Sequence, residues 1–379
     1  MNKKKVLLFY PPNKRSVAIE TVCKAVKEAG HEIVILTLSE RGAFHEAMEK
    51  EGIETLTYEV PRKPSWKFFY KHTRNIISFC KKRKIDFVWS HLQEASLSAL
   101  LAQKFIKAKV IVFRHHAESA FYAEMGEKFG MTRNANEVKL DKLINRMAKA
   151  IVIPSSGVWL SMEKYEGVDM RKVKLMPYIY NFSKYQKPEL VQTATIRNSN
   201  SCQLMLIMVS RMIATKQHRP VFEIVNKLHK QGLSIKMLVM DDGPLKPELE
   251  KMVNDNQLQD VIIFTGFRTD FINYMAAADL LIHPSLTEAS NNVVKEMGLL
   301  QKGVAVCKDV GDFNEYICEG ENGFFLDANN LERSLEEVIR KAYQQPEQLK
   351  EMGIALNKKV IEFFSDTAAN RQPYLDLLK

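Results

Sequence analysis

Short apolar runs alternate with amphipathic stretches along most of this chain. In the first half, Lys5–Tyr10, Glu32–Thr37, Phe87–Ser90, Val110–Arg114 and Ala150–Ile153 read as short buried strands. Between the first two, Val17–Ala29 has helical spacing and stops at Gly30. Apolar strands separated by helices predict a parallel α/β layout. The stretch Tyr185–Ser201 breaks the alternation: it is polar, lacks periodicity and ends in Arg197-Asn-Ser-Asn-Ser201. It predicts a linker over 186–202. A second alternating domain starts with the strand Gln203–Ser210 and continues through Ile235–Met240, the run after Val261, Asp279–His283 and Val304–Cys307. The predicted layout is therefore a domain over 1–185, a linker, a domain over 203–345 and a helical segment over 346–379. A length of 379 residues accommodates two such domains.

Charge divides the halves. Residues 1–184 hold 33 Lys+Arg and 19 Asp+Glu, a balance of +14, while 185–379 hold 22 and 26, a balance of −4. The whole excess of +10 thus comes from the first half. Within it, Arg62-Lys-Pro-Ser-Trp-Lys-Phe-Phe-Tyr-Lys71 interleaves basic and aromatic residues, and Lys81-Lys-Arg-Lys84 follows. Three readings stand: a solvated helix end, a surface meeting anionic lipid headgroups, and nucleic-acid binding. The last has no recognition motif beside it, so no nucleic-acid partner is expected. Cys23, Cys80, Cys202, Cys307 and Cys318 are odd in number and form no C-x-x-C pair, which predicts a reducing, cytoplasmic setting without a zinc site. Met1-Asn-Lys-Lys-Lys5 runs into an apolar core too short for a signal peptide, and no apolar run approaches the ~20 residues of a membrane span.

Candidate chemistry concentrates in Pro284-Ser-Leu-Thr-Glu-Ala-Ser-Asn-Asn-Val-Val-Lys-Glu296. The preceding Asp279-Leu-Leu-Ile-His283 reads as a buried strand. Ser290, Asn291 and Asn292 suit a helix N-cap, with the helix carried from Val293 to Leu300. The unpaired amides and dipole of that first turn make an anion site. Glu288 falls in the loop before it, and Glu296 roughly 7–8 Å along it at ~1.5 Å per residue. A diphosphate at the helix start would have its sugar near Glu288 and its nucleoside near Glu296, because carboxylates accept hydrogen bonds from hydroxyls. Arg211 and Lys216 lie between a strand and a helix; two cations there offset diphosphate charge, or else form an ordinary surface pair.

From Asp279 to Leu326 the chain resembles the retaining glycosyltransferases of family four, which have the GT-B fold. Pro284, Ser285, Glu288, Asn292, Val293, Glu296, Gly303, Gly311, Glu315, Gly320, Asn322 and Gly323 stand in the family's register. Departures are Ala289 for Gly, Asn291 for Pro or Gly, Met297-Gly298 for Ala-Met, and Asp312 for a second Gly. Asp312 places an extra carboxylate near the expected diphosphate. The spacing of Arg211 and Lys216 matches the family's phosphate-binding pair. Asp241-Asp-Gly-Pro-Leu245 matches a G-D-G-P-L element with Asp241 for its first Gly. Val261-Ile-Ile-Phe-Thr-Gly-Phe-Arg268 matches a strand and nucleobase loop, which makes Phe267 and Arg268 nucleotide contacts. The likeness is weaker earlier: Gly30-His31, Lys84–His91 and Val110-Ile-Val-Phe-Arg-His-His116 fit, whereas Pro11-Pro-Asn-Lys-Arg-Ser16 replaces the usual Gly-Gly loop.

The resemblance implies an α/β protein of GT-B type, two Rossmann-like domains facing across a cleft, with the C-terminal segment returning to the first. It implies a retaining, metal-independent transferase. Arg211, Lys216 and the amides around Asn291, Asn292 and Val293 would hold the diphosphate, Glu296 the ribose and Glu288 the donor sugar. One of His115 and His116 would touch that sugar, and His115 is favoured by register, since adjacent strand residues face opposite ways. Glu118 and Glu124 read either as acceptor-side acids or as solvated helix faces. Asp241-Asp242 is not a D-x-D metal motif. The co-substrate is expected to be a nucleotide sugar, uridine preferred over guanosine. The acceptor would be a glycan or a lipid-linked sugar, on a cytoplasmic membrane face that the basic half meets. Two alternatives stay open: a sugar-nucleotide 2-epimerase and a non-catalytic GT-B-like scaffold.

Overall fold

The computed structural model describes residues 2–58, 66–116 and 135–379. Arg62, Lys63, Glu118 and Glu124 lie outside the described residues, as does the side chain of Trp66. The chain forms two compact units: Met1–Lys184 with Phe364–Lys379, and Tyr185–Phe363.

The first unit carries a parallel sheet of β1 (Lys5–Phe9), β2 (Glu32–Thr37), β3 (Glu54–Thr57), β4 (Phe87–His91), β5 (Lys109–Phe113), β6 (Ile151–Ile153) and β7 (Val173–Leu175), in the order 3-2-1-4-5-6-7. The central strands are apolar on both faces because helices cover both; Val6, Leu8, Trp89, Ile111 and Phe113 all join one core. The second unit repeats the plan with β8 (Leu204–Val209), β9 (Ile235–Met240), β10 (Ile262–Gly266), β11 (Leu280–His283), β12 (Gly303–Cys307) and β13 (Phe324–Leu326), in the order 10-9-8-11-12-13. Its core gathers Leu204, Leu206, Met237, Val239, Leu280, Ile282 and Phe222. In each unit the order reverses once, between β1 and β4 and between β8 and β11. Loops leaving neighbouring strands diverge at such a point, so a crevice forms beyond the strands' carboxyl ends.

Two boundaries differ from the expectation. The predicted linker contains a helix, Leu190–Ser199. It has no buried residue, and its apolar Leu190 and Val191 are adjacent rather than spaced by a turn, so no helical period was there to see. Polar ties hold it instead. Asn273 Oδ1 accepts from the Glu189 N–H at 2.7 Å, and Arg197 pairs with Asp279 at 2.7 Å. The C-terminal segment also divides. Most of the helix Pro346–Phe364 belongs to the second unit. A Cβ on Gly353 would stand 2.2 Å from the Gln301 carbonyl oxygen, so only glycine lets the helix approach this closely. Asn357 Nδ2 donates to the Gly298 carbonyl at 3.0 Å. Only Phe364 onward joins the first unit. There Tyr180 N–H donates to the Phe364 carbonyl at 2.7 Å, and Arg371 of the helix Ala368–Asp376 pairs with Glu28 at 2.6 Å.

Candidate active site

The second unit brings most of the predicted side chains to the carboxyl ends of β8 and β11, the two strands at its switch point. Arg211 follows β8. Its guanidinium is exposed and has no ion-pair partner among the described residues. Lys216 ends a 3-10 turn, Ala214–Lys216, just before the helix His218–Lys230. That loop is tightly held. The Met212 N–H donates to Asp242 O at 2.9 Å, and the Leu286 N–H donates to Thr215 O at 3.0 Å. Gln217 occupies the left-handed region at φ 55°, and its side-chain amide donates to the Pro284 carbonyl at 2.7 Å. A backbone cost at a non-glycine residue is thereby offset by a tie to the loop after β11.

That loop supplies the carboxylate. Glu288 accepts from the Lys216 ammonium and, at 2.7 Å, from His283 Nε2, the last residue of β11. Lys216 also donates to Ser285 Oγ at 3.1 Å. An ammonium has three donors, so this leaves Lys216 one for a ligand. Burial by itself would raise the Glu288 carboxyl. The His283 hydrogen bond and then the Lys216 charge outweigh it and hold Glu288 well below the ordinary carboxylate range. It is a fixed anion, suited to accepting hydrogen bonds from hydroxyls rather than to donating a proton.

The helix Asn292–Leu299 follows, one residue earlier than its expected start. Asn291 is its N-cap, with Oδ1 accepting from the Val294 N–H at 3.1 Å. Asn292 and Val293 form the first turn. Its dipole makes this end attractive to an anion. Four residues into the helix stands Glu296, half-buried. Burial pushes its carboxyl up to about 7, with Lys295 opposing only in part. Tyr185 lies close enough that, after burial, the Glu296 charge is what raises its phenol. After β10, Phe267 is 76% exposed, a large apolar face offered to solvent. Arg268 is instead turned onto its own loop, bonded to Asp270 at 2.8 Å and set over the Tyr274 ring.

His115 lies in the first unit, just after β5. Both ring nitrogens are engaged: Nε2 is 2.8 Å from His91 Nδ1, and Nδ1 meets the Tyr178 hydroxyl. Burial, and then His116, lower its pKa to about 3, so the ring is neutral. A direct sugar contact by His115 requires one of these bonds to yield; His116 is the exposed one of the pair. Beside them a cavity of about 270 Å³ is lined by Leu92, Gln93, Arg114, His115, His116 and Asp141. Arg114 at its wall is buried and pairs with Asp141 at 2.8 Å, Glu166 at 2.7 Å and Asn145 Oδ1 at 3.0 Å.

Arg211, Lys216, Glu288, Asn291 and Glu296 were singled out from the sequence, and Ser285 stood in the family's register without a role, but His283 and Tyr185 were passed over. His283 closed an apolar run and was read as strand; a histidine as the last residue of a parallel strand, one residue from Pro284-Ser285, was its signal. Tyr185 had none.

Two doubly wound parallel units, one with cations, a fixed carboxylate and a helix N-terminus at its switch point, give the chain a fold of GT-B type. Family models make this specific. Residues 193–359 match the glycosyl transferases group 1 model and 16–178 the glycosyl transferase 4-like domain. The chain belongs to this glycosyltransferase family. Over 323 residues it is 23% identical to the alpha-monoglucosyldiacylglycerol synthase of Acholeplasma laidlawii, covering 81% of this chain and 79% of that protein. Over 124 residues it is 28% identical to the alpha-D-kanosaminyltransferase of Streptomyces kanamyceticus, 32% of each chain; the chain thus spans only about a third of that relative. The HepE protein of Anabaena, crystallised with UDP, shares the fold at a TM-score of 0.77 and 17% identity over 99% of both chains. The protein is a group 1 glycosyltransferase of GT-B type, related to enzymes of glycolipid and polysaccharide synthesis.

Proposed function

We propose that this enzyme transfers a sugar, with retention of anomeric configuration, from a nucleoside diphosphate sugar to a glycan or lipid-linked acceptor. The observation that carries the reading is the cluster at the ends of β8 and β11. Arg211 is uncommitted, Lys216 keeps a spare donor, and both stand with a helix N-terminus and the fixed carboxylate Glu288 in one unit. In this reading the diphosphate rests on Arg211, Lys216 and the first-turn amides of Asn292 and Val293. Glu296 accepts from ribose hydroxyls and Phe267 offers a face to the base. Glu288, oriented by His283, accepts from hydroxyls of the donor sugar. The bond from the anomeric carbon to phosphate oxygen breaks as the acceptor oxygen bonds to the same face. The acceptor proton passes to the departing phosphate, whose new charge Arg211 and Lys216 offset. No metal takes part. The cavity beside His116 is the proposed acceptor side.

Support for the uridine donor comes from the HepE likeness, a protein solved with UDP. Support for a lipid acceptor comes from the diacylglycerol-linked product named for the Acholeplasma relative and the diphospho-undecaprenol acceptor named for a Campylobacter jejuni relative. Among the described residues no helix is long and apolar enough to cross a membrane. Peripheral contact would fall to the helix Trp66–Arg83. Its aromatic residues do not all face outward: Phe68 is buried against His72, while Tyr70 is 59% exposed. Lysines 67 and 71 and Tyr70, rather than the whole aromatic run, are the proposed lipid contacts.

The test is a panel of uridine and guanosine diphosphate sugars with the purified protein, with and without chelator. Donor hydrolysis should appear for one nucleotide and survive chelation, and NMR of the transfer product should show the donor's anomeric configuration. Binding without any turnover across donors and acceptors would favour the scaffold reading. Conversion of the free nucleotide sugar to its 2-epimer would favour the epimerase.

A further inference from the structure

Resting on the nucleotide-sugar reading above, we infer that Lys295 and Asp312 form a buried strut that positions the donor-binding loops. Their side chains have 0% exposure and meet at 2.6 Å. Ser290 Oγ bridges them: it donates to Asp312 Oδ2 at 2.6 Å and accepts from Lys295 Nζ at 2.9 Å. Lys295 also donates to the Asn291 carbonyl at 3.0 Å, and its ammonium stands 5.5 Å from the centre of the Tyr316 ring.

The strut joins two segments that carry the site. One is the Glu288–Asn291 loop, which bears the fixed carboxylate and the N-cap. The other is the turn after β12, where Gly311 sits at φ 59°. A Cβ on Gly311 would stand 2.9 Å from Glu288 Cβ, so the turn backs directly onto the Glu288 stem. An ammonium beside a helix N-terminus opposes the helix dipole, and a lone carboxylate there opposes a bound diphosphate. Each charge is unfavourable alone; together they cancel. Asp312, the departure that threatened to repel the diphosphate, is thereby neutralised from inside the helix itself. Lys295 is the compensating residue, at a helical position whose side chain leans back toward the N-terminus. Neither touches the ligand in this arrangement. Both are positioning residues, acting through Glu288, Asn291 and the first turn.

Calorimetric titration of UDP and of GDP onto the full-length protein tests this, with melting temperature followed in parallel. Lys295→Met should weaken nucleotide binding roughly 10- to 100-fold, as small displacements of positioning groups do. Lys295→Arg should recover most of it. The double variant Lys295→Met/Asp312→Asn should bind more tightly than Lys295→Met alone, because the stranded carboxylate is gone. Arg197→Met removes an ion pair at the opposite end of β11 and should lower melting temperature while keeping affinity. Should Lys295→Met fail to fold, Asp312→Asn and the double variant carry the same comparison. Wild-type affinity in Lys295→Met, or in Asp312→Asn where that stands in, overturns the strut. So does a loss no larger than that of Arg197→Met at equal melting temperature. A wild-type protein that binds neither nucleotide overturns the functional reading itself and the strut with it.

Discussion

The two units share one topology and differ in what they leave unsatisfied at their switch points. In the first, the polar side chains beyond β4 and β5 pair mainly with one another: His91, His115 and Tyr178 form one chain, Arg114 meets Asp141, Glu166 and Asn145, and His91 Nε2 is buried without a hydrogen-bond partner among the described residues. In the second, Arg211 has no ion-pair partner among the described residues and Lys216 holds a donor in reserve. In the reading proposed above, the uncommitted cations of the second unit meet a highly charged ligand, while the buried ion pairs of the first hold the shape of a cavity wall.

The largest effect should come from breaking the buried Arg114 cluster. Arg114→Met removes the buried guanidinium that Asp141 and Glu166 share, and should cost about 3–5 kcal/mol of stability. Denaturant unfolding of the full chain measures it, and nucleotide affinity of the protein that remains folded should stay at the wild-type value. A parallel loss of affinity would remove the contrast between the units.

Arg211→Ala and Lys216→Ala should reverse that pattern. Each should lower turnover about 10²- to 10³-fold with little change in melting temperature, as removal of one transition-state donor does. Steady-state rates on the donor identified by the panel decide this. Near-normal rates in both would break the assignment of the diphosphate site.

A smaller effect sharpens the second unit. Glu296, with its carboxyl pushed up to about 7, is largely protonated below neutrality and then accepts fewer hydrogen bonds. Nucleotide affinity should fall several-fold between pH 8 and pH 6, and Glu296→Gln should flatten the profile. In the free protein the sign is opposite. A carboxyl whose folded pKa is raised contributes stability that is present below its unfolded value, near 4.3, and lost as pH rises through about 7. Affinity and stability should therefore move in opposite directions over that window.

The last test concerns the basic unit. Sedimentation with anionic vesicles should be seen at low salt, fade with added salt, and weaken about 30-fold in Lys67→Ala/Lys71→Ala, since each lysine near such a surface is worth about 1 kcal/mol. Salt-independent sedimentation, or none, would assign those lysines to solvent.

Interior strands were legible because both faces are buried, which writes a continuous apolar run into the chain. Three of the four edge strands, β3, β7 and β13, were missed. Each is three or four residues long and paired on one side only, so its apolar run is short or interrupted. The helix Leu190–Ser199 was invisible for a related reason: what holds it is Asn273 and Asp279, more than 70 residues away.

Local order along the chain determined the parallel α/β class, the division into two halves and the positions of Arg211, Lys216, Glu288, Asn291 and Glu296. These follow from spacing within one strand, turn or helix. Tertiary structure decided what each of them meets. Only packing brings His283 and Lys216 onto Glu288, turns Arg268 onto its own loop and commits both nitrogens of His115. Asp312 shows why: read alone it is a misplaced charge, and its meaning depends on Lys295, which a helix facing inward delivers 2.6 Å away. Charge depends on residue type and can be read in order along the chain, but its neutralisation depends on distance in space.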